Sequence, residues 1–288
     1  MIYYIILGIA AVLLAFQFAI EKKNQLFEGT ETVPSLRYNM LYGLFTAIFF
    51  FCINGFRAEF SLFSVVFALA FSSLCLLYTL IGFRIMKSGN LSLYTLFLMS
   101  GGMIVPYLFG VAFLNEELTV LRVIGLMVMT AAITISGGIK TEGAKSVLPL
   151  CIIVFFLNGT VSILSKCHAI DTVHHAVDCR HFVMFTGLGR FLVSGIAMLF
   201  CKPTKQALHF SFRPMPALIV IAGVVGGVSY MLQLIGAANL PATVTYPLIT
   251  GGCIIFSALS DVVFYKEKLS KTQWFSLLLS FAGTFFFL

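Results

Sequence analysis

Charge is scarce along this chain. Of its 288 residues only 10% are Asp, Glu, Lys or Arg, against roughly a quarter in soluble globular domains, so a water-solvated globular surface is excluded. Acidic residues are the rarer charge, 11 against 18 basic, and none falls in the middle of any apolar stretch. There is no HExxH, no acidic metal-binding motif and no set of nucleophile, base and orienting group, which argues against a membrane enzyme acting on lipid. The formal charge of +7 has no aromatic platform or recognition motif beside it, so no nucleic-acid partner is indicated. Dispersed Lys and Arg in short loops suit lipid headgroups better. Residues Met1 to Ile20 lack a basic residue before the apolar run and a small-residue cleavage site after it, and read as a retained first helix with no signal peptide.

What the chain has in abundance is hydrophobic length: 60% of residues are hydrophobic and the mean hydropathy is +1.03. Runs approaching the roughly 20 residues that span a bilayer recur between polar breaks. They predict helices over 2–20, 39–56, 61–83, 91–114, 120–139, 147–166, 181–201, 216–236, 242–264 and 272–288. The expected fold is an all-α polytopic membrane protein of ten transmembrane helices. The longest connections are Glu21 to Tyr38 and Cys167 to Arg180, and a polar break at Gly137 to Ser146 divides the chain. The halves are then 1–139 and 147–288, joined by 140–146. Cys52, Cys75, Cys151, Cys201 and Cys253 lie in or at the ends of apolar stretches, where cysteine acts as a small hydrophobe.

The halves resemble one another. Ser100 to Ile104, with Gly101 and Gly102, matches Thr250 to Ile254, with Gly251 and Gly252; Phe113 to Thr119 matches Phe264 to Ser270, each with a glutamate, Glu116 or Glu267, ahead of a helix. Arg37 and Tyr38 match Arg180 and His181 more weakly. Duplication is a signature of transporter construction. An odd number of helices per half turns the second half over, predicting two inverted five-helix repeats. Under that topology Lys22, Lys23, Arg37, Arg84, Lys87, Lys140, Lys145, Lys202, Lys205, Arg213, Lys266, Lys268 and Lys271 share one side, and Arg57, Arg122, Lys166 and Arg180 the other. The bias of basic residues toward the cytoplasm then favours both termini outside.

The chain resembles the ten-helix drug/metabolite transporter superfamily, of the EamA-like type. The resemblance rests on the paired halves, on Asn239 to Ala242 leading into Tyr246 to Gly252, on Lys266 to Ser270 with its counterpart Asn115 to Thr119, and on Asn158, Gly159, Ser165 and Lys166. It implies a central cavity lined by the first, third, fourth, sixth, eighth and ninth helices, small metabolites or drugs as substrates, and termini in the cytoplasm, the reverse of the basic-residue bias.

A charge at the centre of a membrane helix costs about 2.5–3.5 kcal/mol and tends to face a cavity or a partner. Arg190, between Gly187 and Gly189 and the following residues of the seventh helix, is therefore either an anchor for an anion or carboxylate or a structural pair. Gln17 and Asn158 offer uncharged hydrogen-bonding groups at related places, to a substrate or to neighbouring helices. Lys166 and His168 bind, gate or snorkel to the interface. Tyr230, Gln233, Tyr94 and Tyr246 supply polar-tipped aromatic walls or an interfacial belt. Pro106 and Pro247 bend their helices. Glu116 and Glu267 stand where a carboxylate caps the next helix, or act in gating. The stretch Cys167 to His181 holds four of the five histidines; zinc or a Cys167–Cys179 disulfide is conceivable there, but its spacing matches no established zinc pattern. The expected function is secondary transport of an anionic, zwitterionic or neutral metabolite by a protein of the bacterial inner membrane, without cofactor, for which a monomer suffices and a dimer is possible. The alternative is a sensor subunit using the histidine-rich loop.

Overall fold

The computed structural model describes residues 1–29, 31–87, 91–137, 144–201, 215–266 and 269–288. Among these the chain forms ten helices: α1 (Ile2–Glu28), α2 (Thr32–Ile53), α3 (Leu62–Lys87), α4 (Leu91–Phe113), α5 (Val120–Gly137), α6 (Ala144–Ala169), α7 (Cys179–Leu199), α8 (Met215–Asn239), α9 (Ala242–Tyr265) and α10 (Lys271–Phe285). Eight are long and apolar enough to cross a membrane; α5 and α10 are the shorter two. The protein is an integral, multi-pass membrane protein.

Helix α1 shows how the residues choose their faces. Leu7, Ala10, Ala11 and Ala15 are buried, while Ile5, Ile9, Val12 and Phe16 form a stripe on the outside. The small residues face protein because close backbone approach drives helix association in lipid, where burying apolar surface gains little. The predicted loop from Glu21 to Tyr38 is mostly helix. Helix α1 continues to Glu28, Gly29 at φ 84° ends it, and α2 begins at Thr32. Hydropathy marks where lipid ends, not where backbone hydrogen bonding ends, and Glu, Lys and Gln are good helix formers. This correction moves Glu21, Lys22 and Tyr38 into helices.

The helices pair in a regular way. Helix α1 lies on α8 and α9, as α6 lies on α3 and α4; α2 meets α7, α4 meets α9 and α5 meets α10. Exchanging each helix for the one five places away maps these pairings onto themselves. At the α2–α7 crossing Gly43 and Gly187 meet reciprocally: a Cβ on either would strike the carbonyl oxygen of the other. Hydroxyls stitch other pairs, with Ser229 Oγ donating to Ala10 O at 2.8 Å, Thr46 Oγ to Gly223 O at 2.8 Å and Ser276 Oγ to Ala132 O at 2.6 Å. The matched positions Asn115 and Lys266 both adopt the left-handed conformation, at φ 53° and 52°.

Candidate functional site

Arg190 lies half-buried near the middle of α7. It borders a small cavity of about 20 Å³, lined also by Tyr42, Thr46, Val183, Thr186, Gly187, Gly227 and Tyr230, room for about one water. The guanidinium carbon stands 5.2 Å from the Tyr42 ring centroid and 5.6 Å from that of Phe71, distances at which an aromatic face attracts a cation. Its Nη2 is 3.9 Å from Cys75 Sγ. Among the described residues no carboxylate forms an ion pair with it. Glycine at 187 brings α2 close, and glycine at 227 leaves space that a Cβ would take from Phe50 and Thr46. The cavity thus draws on α2, α7 and α8, with α3 behind it, and α2 and α7 were absent from the lining helices that the resemblance implied.

The other candidate residues divide between this site and the helix contacts around it. Tyr230 lines the cavity, with its hydroxyl 2.8 Å from Ser165 Oγ and its ring 5.0 Å from Phe71. Gln17 is buried, and its Oε1 and the Tyr42 hydroxyl lie together against Gly226. Tyr94 packs its ring against Gly82 of α3 and lies within electrostatic reach of Glu21. Gln233 donates to Ser229 Oγ at 3.1 Å, the hydroxyl that holds Ala10 of α1. Asn158 spends its amide on Leu98 O of α4 at 2.7 Å. Tyr246 is buried rather than interfacial, its hydroxyl donating to Ser162 O at 2.5 Å. Pro106 and Pro247 fall inside α4 and α9, which pack on each other.

Glu116 and Lys166 build a different feature. Glu116 accepts from the backbone N–H groups of Ala242 at 2.6 Å and Thr243 at 2.8 Å, so it caps α9 in the other half of the chain. The helix that follows it, α5, is capped instead by Thr119, whose hydroxyl accepts from Arg122 N. Lys166, 4% exposed, donates to Ala237 O at 2.7 Å and Leu240 O at 2.8 Å, and its ammonium is 4.0 Å from Glu116. An anion at a helix start and a cation at a helix end both complement the backbone dipoles. Together they clasp the α8–α9 turn. Helix α9 reaches the opposite end of the bundle near Asp261, which pairs with Lys22 of α1 at 2.7 Å, while Tyr265 donates to Ala19 O at 2.5 Å. Glu267 lies outside the described residues.

The histidine-rich connection is held by its own side chains. Asp171 accepts from the His174 ring at 2.8 Å and from the backbone of His174 and Ala176. Burial works to raise its carboxyl, but those hydrogen bonds outweigh it and hold the group below the usual carboxylate range. His168 contacts Ser64 Oγ at 2.9 Å and stacks on Phe182 with ring centroids 3.5 Å apart. Cys167 and Cys179 are free thiols. Among the described residues no group of three or more His, Cys, Asp or Glu is arranged to hold a metal ion.

Tyr42, Thr46, Phe71 and Cys75 were not singled out from the sequence. One signal was available for Thr46: carrying the Arg37–Arg180 match forward sets it against Gly189, beside Arg190. Phe71 and Cys75 sit in an apolar run with nothing local to distinguish them.

The described helices form a multi-pass bundle with a small cationic, aromatic cavity between α2, α7 and α8. Residues 146–288 match the profile of the EamA-like transporter family, and the chain belongs to that family of membrane transporters, within the drug/metabolite transporter superfamily. A crystal structure of a protein 17% identical in sequence superposes with a TM-score of 0.73, covering 97% of this chain and 94% of its own, which shows a shared fold. No curated protein sequence matches the chain.

Proposed function

We propose that the protein is a secondary transporter that moves one small anionic, zwitterionic or neutral metabolite by alternating access, its halves forming two inverted five-helix repeats. The observation that carries this reading is Arg190, a permanent cation held amid tyrosines in mid-bundle with no carboxylate partner among the described residues. A charge so placed costs about 2.5–3.5 kcal/mol, and a binding site is the usual reason to retain it. The self-mapping pattern of helix contacts, the reciprocal Gly43–Gly187 crossing and the matching backbone of Asn115 and Lys266 support the repeat. Exchange of conformation between such halves opens a central site first to one side and then to the other. In this conformation both ends are tied, by Glu116 and Lys166 at one and by Lys22, Asp261 and Tyr265 at the other, and the cavity between is water-sized. That combination suits an occluded state.

A thermal-shift screen of purified protein against amino acids, nucleotides, sugars and phosphorylated metabolites identifies the ligand class, because a ligand stabilises the folded state by mass action. Arg190→Gln is expected to abolish that stabilisation and uptake into proteoliposomes while leaving a folded protein. Unchanged affinity in the variant would assign Arg190 to structure.

A further inference from the structure

Polar atoms without a partner gather at one end of the bundle. Among the described residues seven buried side-chain nitrogen or oxygen atoms lack a hydrogen bond, and four of them belong to Asn54 and His181. Asn54 ends α2 and His181 stands in the first turn of α7. The two helices cross antiparallel, since a Cβ on Gly43 would meet Arg190, one on Gly187 would meet Ala47, and one on Gly195 would meet Met40. Carried onward, that register sets Asn54 at the level of Arg180 and His181. The connection before α7 closes over the same end, where Val177 N donates to Ser64 Oγ of α3 at 3.0 Å and Val177 joins the core cluster of Phe50 and Phe182. His181 is 6% exposed. Each imidazole nitrogen is a donor or an acceptor in either tautomer, and buried polar groups are nearly always paired, so a ring with both nitrogens idle marks a missing partner.

The partner at hand is Glu59 of the α2–α3 connection, whose Oε2 lies 3.9 Å from His181 Nδ1. That is too long for a hydrogen bond. The Glu59 side chain is 67% exposed, so water leaves it room to move, and an approach of about 1 Å would complete the bond. The other charged groups at this end are engaged or turned outward. Asp178 is held by Arg180 Nε at 2.9 Å, and Asp171 by the His174 ring at 2.8 Å. His168 of α6 contacts Ser64, and Lys166 of α6 is bound to the end of α8. Arg57 and His175 are exposed. Cys52, Cys167 and Cys179 are thiols, the first three turns of α3 hold no titratable residue, and α8 brings only Tyr230.

We propose that His181 is a proton-binding site and forms with Glu59 a proton-operated latch between α7 and the α2–α3 connection. Proton uptake from water makes both ring nitrogens donors, and the imidazolium draws in the Glu59 carboxylate. Proton release removes the charge and frees the connection. Helix α7 carries Arg190 about two and a half turns beyond His181, and α3, which follows Glu59, sets Phe71 and Cys75 against Arg190. The latch therefore joins, at their shared end, the two helices whose parting would open a way to the Arg190 cavity. Proton binding and closure of the latch stand independently of the transporter reading; a control of access to the cavity rests on it.

The test uses the full-length protein in detergent with its histidine rings isotopically labelled for nuclear magnetic resonance. The His181 signal is the one missing from His181→Gln. It is expected to titrate between about pH 5 and about pH 8, the range in which imidazoles change charge, and Glu59→Gln is expected to weaken proton binding at that ring by about threefold. The second measurement is the thermal unfolding midpoint of the native protein, Glu59→Gln, His181→Gln and the double variant, a cycle that isolates the interaction between the two side chains. Because the ion pair requires the protonated ring, its contribution is expected in full near pH 5 and is lost as pH rises toward 8. A His181 signal that does not move over this range, a titration unaltered by Glu59→Gln, or a cycle with the same coupling at both pH values overturns the proposal. The titration in Glu59→Gln reads the native His181 ring and so does not depend on whether His181→Gln folds. None of these outcomes touches the transporter reading, which stands or falls on ligand binding and uptake.

Discussion

At the scale of single residues, the chemistry of this protein comes from a handful of polar groups, each judged by what its neighbours leave unsatisfied. Lys166 is satisfied, donating to two carbonyls at the end of α8 beside the carboxylate of Glu116. Arg190 is not paired with a carboxylate among the described residues, and its neighbours are aromatic faces and a thiol. On the proposed function this contrast separates a structural cation from a binding cation, although both are basic residues in apolar surroundings. Lys166→Met removes two charge-assisted hydrogen bonds from a buried site, and thermal unfolding in detergent should show a loss of about 3 kcal/mol, given roughly 1.5–3 kcal/mol for each bond to a charged group and incomplete additivity. Ligand affinity measured below the unfolding temperature should change little. A large loss of affinity with unaltered stability would place Lys166 in the binding site instead.

At the scale of helices, close crossings decide the packing. Gly43 and Gly187 allow α2 and α7 to touch backbone to backbone, and a methyl group at position 43 would also meet Arg190 Cβ and the Phe191 backbone. Gly43→Ala should therefore destabilise the protein by about 1–3 kcal/mol, the usual cost of overpacking, and should displace Arg190 along with α7. Unfolding midpoint and substrate affinity should fall together; an unchanged midpoint would show that the crossing is looser than described. Much of this scale was legible in advance. Apolar length located all ten helices, because each must satisfy its own backbone within lipid. The ends were less legible: α1 outran its apolar segment through Glu21, Lys22 and Glu28, since a helix persists past the membrane while its residues favour it. Pairing was the least legible, because Gly43 and Gly187 stand among 24 glycines and nothing local distinguishes the two that meet.

At the scale of the whole molecule, the duplication gives the carrier its proposed mechanism. With opposite insertion of the halves, single cysteines at positions 116 and 267 should react with a membrane-impermeant thiol reagent from opposite sides. Labelling of both from one side would remove the inverted repeat, and alternating access with it. The clasp at Glu116 and the pair between Lys22 and Asp261 tie opposite ends of α9; under the proposed alternating access, each opening of the site breaks one tie while the other holds.

The sequence alone determined the solvent, the helix count and the likeness between halves, because lipid demands apolar length and a repeat is visible in the order of residues. It also marked Arg190, because charge is conspicuous where nearly everything else is apolar. Only the tertiary structure decided which polar residues share a site. Tyr42, Thr46, Arg190 and Tyr230 line one cavity from three helices, and their juxtaposition depends on how those helices cross. Crossing geometry is set by small side chains meeting over long sequence separations, a relation that no single segment contains.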